Sequence, residues 1–212
     1  MALPFSISDF LDAFGAFNTA WWPVVAALWL VTASVFVRLW RPGADGRLGL
    51  ALLSVHWAWS GFVYHGVYFR PINPAATVFA MLFIAQAAFF LWCLKARRAS
   101  FTLAHTPRGL VAGGFLLYGL AYPFIGLLTG LEYPRLPLFA VPCPTTLVTA
   151  GLLLASNGLP RAVNVVPILW AAIGSSAAVS LGIRADLALI AVVALLTLDA
   201  VAPKLLGARP AG

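Results

Sequence analysis

The chain has 212 residues, 62% hydrophobic and 9% charged, with a mean hydropathy of +0.97. Soluble domains run nearer 45–50% apolar and about 25% charged, so this composition argues against a soluble globular enzyme and for an integral membrane protein. The net charge of +7 would suit a nucleic-acid binder, but the basic residues alternate with the apolar runs in a way that reports topology, and no nucleic-acid partner is expected.

Residues 1–18 come first. In "SISDFLDAFGAF", Phe10, Phe14 and Phe17 share one helical face and Ser6 and Asp9 are spaced as a variant capping box. A short helix lying on the outer interface is therefore expected. A hydrocarbon core about 30 Å thick is crossed by about 20 apolar helical residues. Seven runs of that kind follow, over 21–39, 49–69, 75–94, 110–130, 138–155, 163–181 and 187–206. Short connections predict a single domain over 1–212, an all-α, polytopic seven-helix transmembrane bundle. Ten basic residues, among them Arg38, Arg108 and Lys204, collect on one side of such a bundle, against Arg70, Arg135 and Arg184 on the other. That bias puts the N-terminus outside and the C-terminus in the cytoplasm. Lys95, Arg97 and Arg98 suit contact with anionic lipid. Asp9 and Asp12 stand where a secretory signal would carry basic residues, so the first span is expected to be retained. Cys93 and Cys143 map near opposite faces, too far apart for a disulfide.

An offset of 113 residues carries Trp57, Ala58 and Gly61 onto Trp170, Ala171 and Gly174, and Asn73 onto Asp186. A parallel 3+1+3 duplication would produce this, and a narrow apolar composition would also produce such matches by chance. A retinal protein, which shares that plan, is excluded. It needs a lysine midway along the seventh helix and a facing carboxylate, whereas Lys204 sits at the span's end and the third span has no acid.

Polar side chains within the runs are few, and each is costly in lipid. His56 and His65 are nine apart, on opposite faces of an α-helix, and cannot share one ion. His65 reads either as a hydrogen-bonded interfacial histidine or as a ligand-site residue, and His105 as solvated. Ser54, Ala58, Gly61 and His65 form a small-residue contact stripe. In "RPINPAA", Pro71 and Pro74 end one helix and begin the next, with Asn73 placed as a cap. In "VPCPTTLVTA", Pro142 and Pro144 fit the entry turns of the fifth helix, and Thr145 and Thr146 can bond locally to backbone. The apolar residues 138–141 before them suggest that the helix begins below the surface, with irregular backbone beside a wet cavity. Cys143 would then lie at a helix N-terminus, where a thiolate is favoured, or simply pack as a small buried residue.

Tyr64, His65, Asn73, Tyr122, Cys143, Thr145 and Thr146 thus map to the outer half and form the expected solute site, with Glu132, Ser175 and Ser176 nearby. His56, Gln86 and Asp199 form a sparser path below, and Asp199 is expected either to be functional or to pair with Lys204 or Arg38. One cysteine and one histidine fall short of a metal's usual ligand count, so metal and cofactor stay unassigned. No paired carboxylates, HxxxH, GxSxG, phosphate loop or CxxC supports a hydrolytic or redox enzyme.

"SGFVYHGVYFRPINPAA", with Gln86 in the next helix, and "LEYPRLPLFAVPCPTTLVTAGLLL" resemble the signature segments of an uncharacterised bacterial family of integral membrane proteins, a domain of unknown function. The resemblance implies a multi-pass protein of the bacterial inner membrane and points to the same outer residues, but implies no reaction. The leading expectation is a small permease or solute-binding membrane protein with an outer-facing polar cavity. The alternatives are a non-catalytic subunit of a larger membrane complex, for which eight tryptophans and fifteen phenylalanines supply contact surface, and a membrane enzyme using Cys143 or a metal held with His65. Expected partners are the lipid bilayer and either further copies of the chain or a larger complex.

Overall fold

The structure, a computed structural model, describes residues 4–41, 46–96, 99–101, 103 and 106–206. Arg97, Arg98, His105, Arg209 and the side chain of Lys204 lie outside that description. Among the described residues the chain forms seven α-helices: α1 Ile7–Leu39, α2 Gly46–Trp59, α3 Ala76–Ala96, α4 Pro107–Leu128, α5 Pro142–Ala155, α6 Val165–Leu181 and α7 Ala188–Val201. A two-residue antiparallel ladder, β1 Ser100–Phe101 with β2 Ser156–Asn157, pins one end of the bundle. Four helical stretches, Ile7–Leu39, Ala76–Ala96, Pro107–Leu128 and Arg161–Leu181, are long and apolar enough to cross a membrane.

The apolar runs become helices where expected, with three differences. Residues 1–18 do not form a separate interfacial helix. Ile7–Leu39 is continuous over 33 residues, with Pro23 inside it, and the Ser6–Asp9 capping box is present in both directions at its start. The hydroxyl of Ser6 accepts from the Asp9 amide at 3.1 Å while Asp9 accepts from the Ser6 amide at 2.9 Å, so the predicted cap starts the long helix itself. The second difference is that α2 passes into a π-helical segment over Ser60–Phe69, in which Arg70 donates to the carbonyl five residues back, that of His65. Such geometry is rare beyond a single turn. The third concerns the apolar run 138–155, of which only Pro142–Ala155 is helical: the prolines form the entry turn as their spacing predicts, and the chain over 129–141 is largely non-helical.

That segment is held by side chains that reach it from elsewhere. Asn18 donates to the carbonyls of Pro134 and Leu136, both at 2.7 Å, and Arg135 pairs with Asp12 at 2.7 Å. Phe139, Ala140 and Val141 are buried, and Ala140 takes φ +58°, a left-handed conformation that costs a residue with a Cβ. Its carbonyl accepts from Ser60. Pro142 and Pro144 then remove two of the donors that the buried first turn of α5 would leave unpaired, and Thr145 donates its amide to Val141.

The fifth helix is the axis of the bundle. Every residue of it except Cys143 is buried, and it packs against α2, α4, α6 and α7. A helix with protein on every side can be apolar almost all round, and its buried threonines, Thr145, Thr146 and Thr149, each have a hydrogen-bond partner. Its tightest neighbour is α4. A Cβ on Gly151 would stand 2.7 Å from the Ala112 carbonyl oxygen and 2.6 Å from Leu116, and one on Gly119 would stand 2.7 Å from Val148. At Gly114, by contrast, a Cβ would meet nothing within 4 Å.

Overpacking a close helix contact costs about 1–3 kcal/mol. Gly151→Ala is therefore expected to lower the thermal unfolding midpoint of the detergent-extracted protein, while Gly114→Ala leaves it equal or higher because alanine is the better helix former. An unaltered midpoint for Gly151→Ala would show that α4 and α5 separate without loss.

Candidate functional site

The end of the bundle that holds the starts of α1, α3, α5 and α7 gathers the polar side chains predicted for the outer half. The π-helical segment supplies Tyr64 and His65, α4 supplies Tyr118 and Tyr122, α5 supplies Cys143, α6 supplies Trp170, and the short turn Arg184–Leu187 supplies Asp186. Asp186 is 4% exposed, and the Tyr122 hydroxyl donates to its carboxylate. Cys143 stands beside the same carboxylate and beside Trp170. Tyr118 donates to the neighbouring Ala185 carbonyl at 2.9 Å, so both tyrosines tie α4 to this turn. Burial pushes the Asp186 carboxyl up to about 6, opposed by Tyr122 and Cys143.

Tyr64 approaches this group from the π-helical segment, and His65 next to it packs on Trp170. The imidazole is fully buried among rings, 4.7 Å from Phe83 and 5.0 Å from Trp170 between centroids. Neither ring nitrogen has a hydrogen-bond partner, nor does the Tyr64 hydroxyl, which lies within electrostatic reach of Cys143 and Asp186. The hydrogen-bonded interfacial reading of His65 is thus replaced by a buried ring in an aromatic wall. Unpaired buried polar atoms cost about 1–3 kcal/mol each, and three of them in one place mark a cluster that is not built for stability alone.

The remaining predicted residues take other positions. Asn73 accepts from the Ala75 amide at 3.1 Å and caps the turn before α3. Thr146 bonds back to the Pro142 carbonyl at 2.8 Å, and Thr145 faces Ser60 at 3.4 Å on the way to the Ala140 carbonyl. Asn73 thus serves the entry of α3 and the two threonines that of α5, and none of the three joins the cluster. His56 meets Thr32 of α1 at 3.1 Å and packs on Phe139. Gln86 donates to the Val163 carbonyl at 3.1 Å.

Asp199 is paired, and its described partner is not Arg38; the expected pairing with Lys204 falls on a side chain outside the described residues. Asp199 meets Arg108 of α4 at 2.8 Å, and Asn164 donates to it at 3.3 Å. Arg108 also donates to the Leu154 carbonyl at 2.6 Å, closing the C-terminal end of α5. The secondary path is therefore three separate structural contacts. No group of three or more His, Cys, Asp or Glu among the described residues is arranged to hold a metal ion, so the pairing of Cys143 with His65 around a metal finds no support. An apolar groove of about 470 Å³ between α1, α4 and residues 133–139, lined by Trp22, Trp29, Pro123, Phe124 and Phe139, shares no residue with the cluster.

Asp186, Trp170, Tyr118 and Arg108 were not singled out as site residues from the sequence. Asp186 enters the sequence reading only through the 113-residue offset, two residues from Arg184. Its signal was its apolar setting between Ile183 and Leu187 and its match to Asn73 at the 113-residue offset.

The family model described as a family of unknown function (DUF6064) matches residues 7–206, and the chain belongs to that family. No curated protein and no solved structure matches it.

With side chains only 12% and 13% exposed, the Arg108–Asp199 pair is buried enough that removing one partner strands the other. Asp199→Asn is expected to lower stability by roughly 1–2 kcal/mol, and a double-mutant cycle with Arg108→Met is expected to recover part of that loss. Strict additivity would show that the two do not interact.

Proposed function

We propose that the protein is a small membrane permease or solute-binding membrane protein whose site is the cluster of Tyr64, His65, Tyr122, Cys143, Trp170 and Asp186. The observation that carries the reading is the unpartnered state of the Tyr64 hydroxyl, within electrostatic reach of the buried Asp186 carboxylate, and of both nitrogens of the adjoining His65. A small polar solute supplies the partners those atoms lack. The aromatic rings around them exclude water, which strengthens each polar contact made within.

Four stretches of membrane-spanning length support placement in a bilayer. So does a surface of exposed Leu, Val, Phe and Met side chains, including Leu30, Val37, Phe62 and Met81. Arg38, Arg41, Arg47, Lys95 and Arg161 are exposed at the end opposite the cluster, which supports a cytoplasmic placement for that end and an outward-facing site. In this reading the protein is a multi-pass protein of the bacterial inner membrane, and solute reaches the cluster from the side where α1 begins. A duplicated origin is consistent with Trp57 and Trp170 both packing on Phe83.

A solute that binds only the folded protein at about 100 times its dissociation constant stabilises it by about 2.7 kcal/mol. Screening a broad panel of small solutes against the purified protein is expected to yield at least one that raises the unfolding midpoint, and Tyr64→Phe and His65→Phe are expected to abolish that rise. Native mass spectrometry of the gently extracted protein provides the complementary readout. A panel without any shift, together with a stably bound companion chain, would overturn the permease in favour of a subunit of a larger complex.

A further inference from the structure

Asp186 has an unusual electrostatic setting. It is buried, and the described ion pairs are Arg108–Asp199 and Arg135–Asp12, so no cation balances it. The elements packed against its turn bring few titratable groups. From α4 come the phenols Tyr122, which donates to the carboxylate, and Tyr118, which is engaged with Ala185. From α5 comes Cys143 and from the π-helical segment Tyr64. The helix α6 presents no titratable group within Val165–Leu181, and the one acid of α7, Asp199, is held at the other end by Arg108. On its own turn the charged neighbour is Arg184, which is exposed. A carboxylate thus faces neutral donors alone, and an isolated buried charge of this kind is expensive.

We propose that Asp186 is the proton-binding group of this site, taking up and releasing one proton as solute occupies and leaves the cluster. In the protonated state an O–H bond forms on the carboxyl, the proton coming from water at the end where α1 begins, and the turn carries no net buried charge. In the deprotonated state the proton returns to that water. Tyr122 and Cys143 then stabilise the anion, which presents one negative charge to the unpaired hydroxyl of Tyr64. A solute bearing a positive or strongly donating group binds the second state better than the first, which couples its binding to proton release. Burial sets the affinity for the proton near neutrality, with the carboxyl raised from 3.8 to about 6. The fold favours the protonated form, so the stability that this group contributes is largest at low pH and falls as pH rises from 3.8 through about 6.

The inference deepens the reading of the cluster as a solute site, but its test needs no solute. The full-length protein in nanodiscs is titrated by infrared spectroscopy of the carboxylic C=O stretch. Wild type is expected to show one band that appears on acidification through about pH 6 and that Asp186→Asn lacks. Tyr122→Phe removes a donor to the anion, so the same band is expected with its midpoint moved to higher pH; this variant keeps the test decisive should Asp186→Asn fail to fold. A band unchanged in midpoint in Tyr122→Phe, or still present in Asp186→Asn, overturns the proton site. Solute binding with no pH dependence would overturn the coupling while leaving the permease, and a titrating Asp186 without any solute would leave the proton site while removing the permease.

Discussion

The burial of α5 on all sides is the constraint to which the rest of the bundle answers. A helix surrounded by protein can leave neither end to solvent, so its free amides and carbonyls must be removed or paired from within. Pro142 and Pro144 remove amides at one end, and Arg108 and the hydroxyl of Ser156 reach Leu154 and Leu153 at the other. Between them Thr149 bonds back to Thr145 and accepts from Trp57 of α2 at 2.8 Å. At about 1.5 Å per residue its 14 residues span about 21 Å, short of the roughly 30 Å of a hydrocarbon core. The irregular segment before it is satisfied or anchored by Asn18, Ser60 and Arg135.

The fourth helix closes the two ends of this arrangement with different chemistry. At one end Arg108 gives Asp199 a cation, and the charge is balanced inside the fold. At the other Tyr122 gives Asp186 only a hydroxyl, and the charge is left open. Both contacts join α4 to the flanks of α7, so both serve to fix the same pair of elements. A fold that needed only the tie would be served by a cation at each end. The use of neutral donors at Asp186 leaves that acid free to exchange its proton, which a salt bridge would suppress.

The helical spans were legible because about 20 apolar residues in a row admit few alternatives, and the proline bracket of α5 was legible because proline has so few positions that it can occupy. Other features depend on tertiary partners that a single chain does not display. The continuity of α1 through residues 18–21 follows from Asn18 being drawn inward to the Pro134 and Leu136 carbonyls, a contact more than a hundred residues away in sequence. Arg108 could not be matched to Asp199 by spacing along one helix, because the pair joins two. Asn73 and Asp186 show the limit most plainly. Each precedes a helix from a Pro- or Gly-containing turn, yet Asn73 folds onto its own backbone while Asp186 turns inward to meet Tyr122.

The π-helical segment explains why the cluster lies where it does. Adjacent residues of an α-helix diverge by about 100°, so an α-helical continuation of α2 would set Tyr64 and His65 on differently exposed sides. In the wider π turn both are buried, Tyr64 stacked on Phe14 of α1 at 5.0 Å and His65 against Phe83 of α3 and Trp170 of α6. The segment thereby bridges α1 to the α3–α6 side of the bundle. Its rarer hydrogen-bond geometry persists where its start is held from two sides. Gly61 lies so close to α3 that a Cβ would come within 3.1 Å of the Ala80 carbonyl oxygen, and Ser60 is bonded to the strained Ala140. Ser60 thus joins the irregular segment before α5 to the start of the π segment that carries Tyr64 and His65.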